Sequence, residues 1–400
     1  MFRTLDELDA DRRVLARVDL NSPIEDGAVV DNRRFSRHAV TLAELAGAGH
    51  RVAVLAHQGR PGGDSFVTLE GHAAVLESHL DRPVDYVPDT SGDEALAAIR
   101  ELDAGDVLLL ENVRMTDDEL ADRTPEEHAE CDLVRTLAPE FDAYVGDAYS
   151  TAHRAHASIV GFPLAMDDVY AGRVMEAEYT ANSAIQSRQF DGPVTMVLGG
   201  TKADDLIHVM EHVDAKVDTF LLGGIVGELF LRAAGHDVGY DVEGTEFFDA
   251  QWEENRETIE ELLATYGDRI TLPADLAYEA DEGERAEVAV ADASKTTSFL
   301  DVGARTVEAY RSQIEGVDAV FVKGALGVFE DERFSRGTVG VLEAIARTDA
   351  FSVVGGGDTS RAVDLYDLDA AAFSHVSIAG GAYVRALTGE PLPGVEVLSR

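Results

Sequence analysis

Arginine and histidine recur at the ends of four apolar runs in the first half of the chain. These are Arg17-Val18-Asp19-Leu20-Asn21, His57-Gln58-Gly59-Arg60, Asn112-Val113-Arg114, and the stretch from Asp147 to His156 that contains His153-Arg154-Ala155-His156. Guanidinium forks converging from separate strand ends make a pocket shaped for phosphate or carboxylate. Any one of these arginines fits a surface ion pair equally well, but four clusters at four strand ends fit it poorly. A metal set is disfavoured, because Arg154 stands between His153 and His156 and its charge opposes a cation.

In the second half the apolar runs end in glycine instead: Gly199-Gly200-Thr201-Lys202, Gly223-Gly224, Gly355-Gly356-Gly357-Asp358-Thr359-Ser360 and Ala379-Gly380-Gly381. The Gly199 segment lacks the Gly-to-Gly-Lys spacing of a Walker motif and is a weak signal alone. The triple glycine is stronger. It frees backbone N–H groups before a helix N-terminus, and Asp358 is a candidate Mg²⁺ ligand, although a tight turn capped by Asp358 is the simpler reading of such a triplet taken alone. Four glycine-rich strand ends together with Lys202 favour nucleotide phosphates. No cysteine nucleophile, Gly-x-Ser-x-Gly elbow or Cys/His metal set is evident, which leaves acyl transfer and zinc chemistry without an obvious site. A cationic acceptor pocket and a nucleotide half describe phosphoryl transfer, where positioning and charge neutralisation supply most of the catalysis.

The elements that hold these residues follow from composition and pattern. The chain has 400 residues, 45% of them hydrophobic, enough for two domains. Its formal charge is −43, which repels nucleic acid and anionic membranes. Only four of the 33 basic residues are lysine (Lys202, Lys216, Lys295, Lys323). Dispersed acid with scarce lysine suits molar salt, where the Debye length is about 3 Å and self-repulsion is screened. The single cysteine, Cys131, excludes a disulfide framework and reads as a small buried hydrophobe. The first thirteen residues are too charged for a signal peptide, and no apolar run reaches the ~18 residues of a membrane span, so a soluble, cytoplasmic protein is expected.

Strands are expected over residues 14–18, 52–56, 107–110, 143–145, 194–198, 219–222, 270–272, 319–322, 351–354 and 376–378, with helices over 33–48, 125–137, 249–266 and 337–346. Runs apolar on both faces belong in covered parallel sheets, so the fold class is α/β with two doubly wound, Rossmann-like sheets. Ligands of such sheets bind beyond the strands' carboxyl ends, giving each half its own site. The expected division is residues 1–170, an interdomain helix over 171–190, and 191–389. That helix is read from Asp167–Gln189, which has no Pro or Gly after Gly172.

Taken together these motifs closely resemble the phosphoglycerate kinase family, nearly end to end. The resemblance rests on Arg17 to Pro23, Asn32-Arg33-Arg34, His57 to Pro61, Leu110 to Arg114, Asp147 to Ser158, Leu198 to Lys202, Gly327 to Glu330, Gly355 to Thr359 and Phe373 to Ser377. It implies reversible, Mg²⁺-dependent phosphoryl transfer between ATP and the carboxylate of 3-phosphoglycerate, by a monomer. It further implies that Asp19, Leu20, Asn21, His57, Gln58, Gly59, Arg60, Arg114 and Arg154 bind phosphoglycerate and that Arg34 bridges to the transferring group. Lys202, Gly356, Gly357, Asp358 and Thr359 fall on the nucleotide side, Arg34 and Lys202 are the catalytic pair, Asp358 is the metal ligand and Glu330 takes the ribose. A hinge and a tail over 390–400 that returns to the first domain are carried over in the same way.

The chain departs from the family pattern in three places. Leu206 stands where many relatives have a second lysine, Val322-Lys323-Gly324-Ala325-Leu326 replaces a segment that usually begins Trp-Asn, and the last glycine turn begins at Ala379. Lys323 is expected to supply the charge missing at Leu206, both positions being placed at strand ends. The cations Arg17, Arg34, Arg60, Arg114, Arg154 and Lys202 are expected to gather in one cleft and reverse the chain's negative field locally.

Overall fold

The structure is a computed structural model that describes residues 2–240 and 247–400. It divides into two compact units, Met1–Thr180 with Pro391–Arg400, and Ala181–Glu390. Each is an α/β layer structure built on a six-stranded parallel sheet.

In the first unit the strands are β1 (Arg13–Arg17), β2 (Arg51–Leu55), β3 (Asp85–Tyr86), β4 (Val107–Leu109), β5 (Ala143–Gly146) and β6 (Val169–Ala171), in spatial order β3-β4-β2-β1-β5-β6. Val14 faces Val52 on one side and Ala143 on the other. These aliphatic runs are buried on both faces, as a helix-covered parallel sheet requires. The helix Arg33–Gly47 lays Phe35, His38, Leu42 and Leu45 against the sheet. Asn32 caps it, its side chain accepting the Arg34 N–H at 2.9 Å, which fixes Arg34 in the first turn. The chain leaves β1 for β2 on one side and later returns to β5 on the other, so a crevice opens at their shared carboxyl ends.

In the second unit β7 (Val194–Leu198), β8 (Thr219–Leu222), β9 (Ile270–Thr271), β10 (Ala319–Lys323), β11 (Phe351–Gly355) and β12 (His375–Val376) lie in the order β9-β8-β7-β10-β11-β12. The switch point falls between β7 and β10. A three-stranded antiparallel sheet, Asp275–Glu279 with Arg285–Ala289 and Phe299–Val302, is added outside this sheet.

All ten expected strands are present, shifted by two residues at most. The single helix expected over Asp167–Gln189 is instead the strand β6, a helix Arg173–Asn182 and a short helix Ala184–Ser187. The reason lies at Asp147, just beyond β5, whose carboxylate accepts the N–H groups of Val174 (2.9 Å) and Met175 (3.1 Å) and so starts the helix only after Gly172. The helix expected over Pro125–Leu137 is two, Pro125–Ala129 and Asp132–Leu137, because the Asp118 carboxylate takes the Leu133 N–H at 3.0 Å and opens a new first turn. Cys131 is buried, as expected. Among the described residues no helix is long and apolar enough to cross a membrane.

Candidate active site

The carboxyl ends of β1, β2, β4 and β5 bring the first set of predicted residues together. Asp19 is buried, 3.1 Å from the Arg34 guanidinium, with Ser150 donating to the same carboxylate oxygen. Burial alone would raise its pKa, but Arg34, His57, Ser150 and the Asn21 N–H outweigh it and hold the carboxyl well below the usual range. Asn21 anchors two neighbours: its Oδ1 accepts the Gly59 N–H at 2.8 Å, and its carbonyl accepts from Arg34 at 2.8 Å. Gly59 has φ +64, and a Cβ there would lie 2.4 Å from the Ser65 carbonyl oxygen, so the turn that presents Arg60 admits only glycine. Gln58 is fully buried and braces the turn from behind, donating to the carbonyls of Ser22 and Ser65.

The cations are deliberately under-compensated. Burial and the charge of Arg17 push Arg114 down to about 10, and its Nε has no hydrogen-bond partner among the described residues. Arg154 is lowered by burial and then by Arg60, which places those two guanidinium groups within mutual repulsion. His57 is pushed well below its ordinary value by burial, and His156 to about 3 by burial and then by Arg114 and Arg154, so both rings are neutral. Neutral rings among clustered arginines leave a site that an anion stabilises.

Two predicted residues behave differently from expectation. Leu20 is fully buried in the hydrophobic core, backbone included, so it backs the site rather than facing a ligand. Arg17 does not line the site openly. It is 0% exposed, with its Nε on Ser158 Oγ at 2.7 Å and a terminal nitrogen 3.9 Å from Glu119. Glu119, itself fully buried and bonded by the Ser158 N–H and hydroxyl at 2.8 Å, is the counter-charge that the sequence reading missed.

In the second unit the glycine turns pack backbone against backbone. Gly324 has φ +85, and a Cβ on it would lie 1.9 Å from the Gly199 carbonyl oxygen. Lys323 ends β10 with its Nζ 3.5 Å from where a Gly356 Cβ would stand. Burial lowers its pKa against the pull of Asp205 and Asp358, while Lys202 pushes it lower still, so the two lysines and Asp358 share one field. Position 206 is not at a strand end: Leu206 lies within the helix Ala203–Val213 and is buried. Gly356 caps the helix Gly357–Leu365, with Asp358 exposed in its first turn. Thr359 is buried and its Oγ1 accepts the Gly324 N–H at 3.1 Å, so it holds the neighbouring turn.

Beside these turns is a cavity of about 320 Å³, lined by Gly200, Gly224, Ile225, Leu326 and Phe329, with Glu330 and Asp358 as polar members. Tyr240, Phe247 and Val328 also line it and are 37%, 47% and 45% exposed, an apolar surface suited to a flat ring system. Glu330 is exposed and 3.3 Å from Arg361.

Known proteins match this chain along its length. The family model described as phosphoglycerate kinase matches residues 5–390. A phosphoglycerate kinase of Halorubrum lacusprofundi is 68% identical over 99% of this chain and 98% of its own, and one of Haloarcula marismortui is 63% identical over 100% of both. The crystal structure of phosphoglycerate kinase from Pyrococcus horikoshii OT3 superimposes with a TM-score of 0.92 at 34% identity, covering 100% of this chain and 98% of that one. The lysine-poor, acidic surface accords with relatives from halophilic archaea. Two doubly wound sheets, an arginine-lined crevice on one and glycine turns on the other are thus the frame of a known kinase, and the chain belongs to the phosphoglycerate kinase family.

Proposed function

We propose that the first unit binds 3-phosphoglycerate and the second binds ATP or ADP with Mg²⁺, and that Arg34 and Lys202 carry the transfer between them. The observation that carries this reading is the under-compensated pair Arg114 and Arg154 near Asp19, with neutral His156 beside them. The substrate phosphate falls to Arg60, Arg114 and Arg154, and its hydroxyl and carboxylate to Asp19, Asn21 and His57. Leu20, Gln58 and Gly59 shape the pocket through backbone and turn.

On the nucleotide side, Gly356 and Gly357 give the phosphates an approach free of side chains, Lys202 and Lys323 supply charge, Thr359 orders the turn, and Glu330 accepts the ribose hydroxyls. The hard oxygen donor Asp358 suits Mg²⁺, which neutralises phosphate charge when bound. The acceptor carboxylate attacks the γ-phosphorus, the bond to the bridging oxygen breaks, and ADP leaves with the electron pair. No general base is required, because a carboxylic acid is already ionised at pH 7. Both reacting groups are anionic, so Arg34 on the acceptor side and Lys202 on the donor side screen the repulsion as charge shifts.

Calorimetry tests the division. Arg114→Met removes 3-phosphoglycerate binding and leaves Mg·ADP binding intact, and Asp358→Asn weakens Mg·ADP alone. Loss of both ligands in either variant, or of neither, contradicts the assignment.

A further inference from the structure

The helix Ala203–Val213 carries a cluster that phosphoryl transfer does not use. Its apolar residues Leu206, Ile207, Val209, Met210 and Val213 are buried, which leaves His208, Glu211 and His212 on the opposite, wetter face. Their spacing of i, i+3 and i+4 stacks them on adjacent turns, and one donor atom from each lies within 4.8 Å of the others. The two imidazole rings stand 4.2 Å apart, centre to centre.

Hydrogen bonds around the cluster set the rings as metal ligands are set. His212 Nδ1 is 2.8 Å from the His208 carbonyl oxygen. A carbonyl only accepts, so Nδ1 bears the proton and Nε2 keeps its lone pair. The His208 ring meets the Glu390 carboxylate through Nε2, leaving Nδ1 for a ligand. Glu390 is steadied in turn by Thr388 Oγ1 at 3.1 Å and by Arg385 Nε at 3.7 Å. A carboxylate on one ring and a backbone carbonyl on the other are the outer partners that orient metal-binding histidines.

We infer that His208, Glu211 and His212 form a surface site for a divalent transition-metal ion, with Glu390 supporting the His208 ring. Two imidazoles and one carboxylate favour Zn²⁺ or Co²⁺ over Mg²⁺ or Ca²⁺, which take oxygen ligands. The exposed side chains close the last fraction of the distance by small rotamer changes. Because Glu390 is the last residue of the second unit, the ion ties that terminus to the helix opening after Lys202.

The test uses the full chain, free of nucleotide, in molar potassium nitrate so that chloride does not compete for the ion. Zn²⁺ uptake is read by competition with a chromogenic chelator, Co²⁺ uptake by its visible absorption, and the thermal midpoint is followed in parallel. The native chain takes up one equivalent and its midpoint rises. His208→Gln/His212→Gln loses both effects, Glu390→Gln weakens binding about 10- to 100-fold, and His236→Ala behaves as native. The single variant His212→Ala, at an exposed position, gives the same reading if the double variant misfolds. No equivalent bound by the native chain, or native binding in the histidine variants, overturns the inference.

Discussion

Arg34 and Asp19 form an ion pair of 3.1 Å in which the carboxylate is buried and the guanidinium is partly open to solvent. The pair joins two functions. Asp19 keeps its charge in a buried place because Arg34 is there, and Arg34 is held at the mouth of the first unit's site because Asp19 and the Asn21 carbonyl fix it. Removing the cation therefore has two separable effects. Arg34→Ala lowers kcat about 100- to 1,000-fold and also destabilises the fold by leaving a buried, poorly paired carboxylate. Arg34→Ala/Asp19→Asn regains stability in chemical unfolding, but its kcat stays far below that of Asp19→Asn alone. Recovery of turnover together with stability would show that Arg34 acts only structurally.

The glycine turns of the second unit separate packing from binding. Gly324→Ala brings a Cβ to 1.9 Å from the Gly199 carbonyl oxygen at φ +85, and should cost more than about 3 kcal/mol. Gly357→Ala meets nothing within 4 Å, so the thermal midpoint stays where it is or rises slightly. Its methyl group nevertheless stands where a phosphate approaches, and ADP affinity falls in calorimetry. Equal destabilisation by the two substitutions contradicts this division.

Lys323 shares its electrostatic surroundings with Lys202 and Asp358, whereas Leu206 is committed to the core. Lys323→Asn is expected to raise KM for ATP and lower kcat while leaving KM for 3-phosphoglycerate unchanged. Unchanged ATP kinetics in that variant would remove Lys323 from the site.

Buried neutral histidines lower stability as pH falls, against an opposing contribution from Glu228 and Asp301, which burial pushes up to about 8 and about 6. Burial lowers His72 from 6.5 to about 4, and burial with neighbouring arginines lowers His156 to about 3. At these two sites the unfolded chain binds more protons than the folded one. The stability these groups contribute is complete above pH 6.5 and is lost as pH falls, to about 4 for His72 and about 3 for His156, at about 1.4 kcal/mol per pH unit for each. Asp19, depressed below its unfolded value, adds to the loss only below about pH 4. Chemical unfolding at fixed molar salt from pH 7.5 to 5 should show the decline starting near 6.5, with a shallower slope in His156→Gln. An identical pH dependence in the native chain and His156→Gln contradicts it.

Both parallel sheets were legible in the sequence because their central strands, such as Val194–Leu198, are apolar on both faces and end in chemically distinct residues. The edge strands of the first sheet were not: Asp85–Tyr86 has two residues, and Val169–Ala171 adjoins a helical stretch whose true start is set by Asp147, far away in sequence. The antiparallel sheet was hidden because Arg285–Ala289 is polar and only partly covered. In the site, the arginines stood out against an acidic chain, whereas Glu119 was one of 76 acids and only its burial beside Arg17 distinguishes it. Arg17 had the right type and spacing, and its bond to Ser158 and its nearness to Glu119 distinguish it from Arg114, which is also buried.

The most direct measurement is a coupled assay of 3-phosphoglycerate, ATP and Mg²⁺ run with the native chain, Arg34→Ala and Lys202→Ala across a salt series from dilute buffer to several molar. With a charge of −43 to screen, the native chain should turn over 3-phosphoglycerate and gain activity as salt rises, and both variants should fall far below it at every salt concentration. Absence of native turnover at all salt concentrations, or undiminished turnover in both variants, would contradict phosphoryl transfer through these two cations.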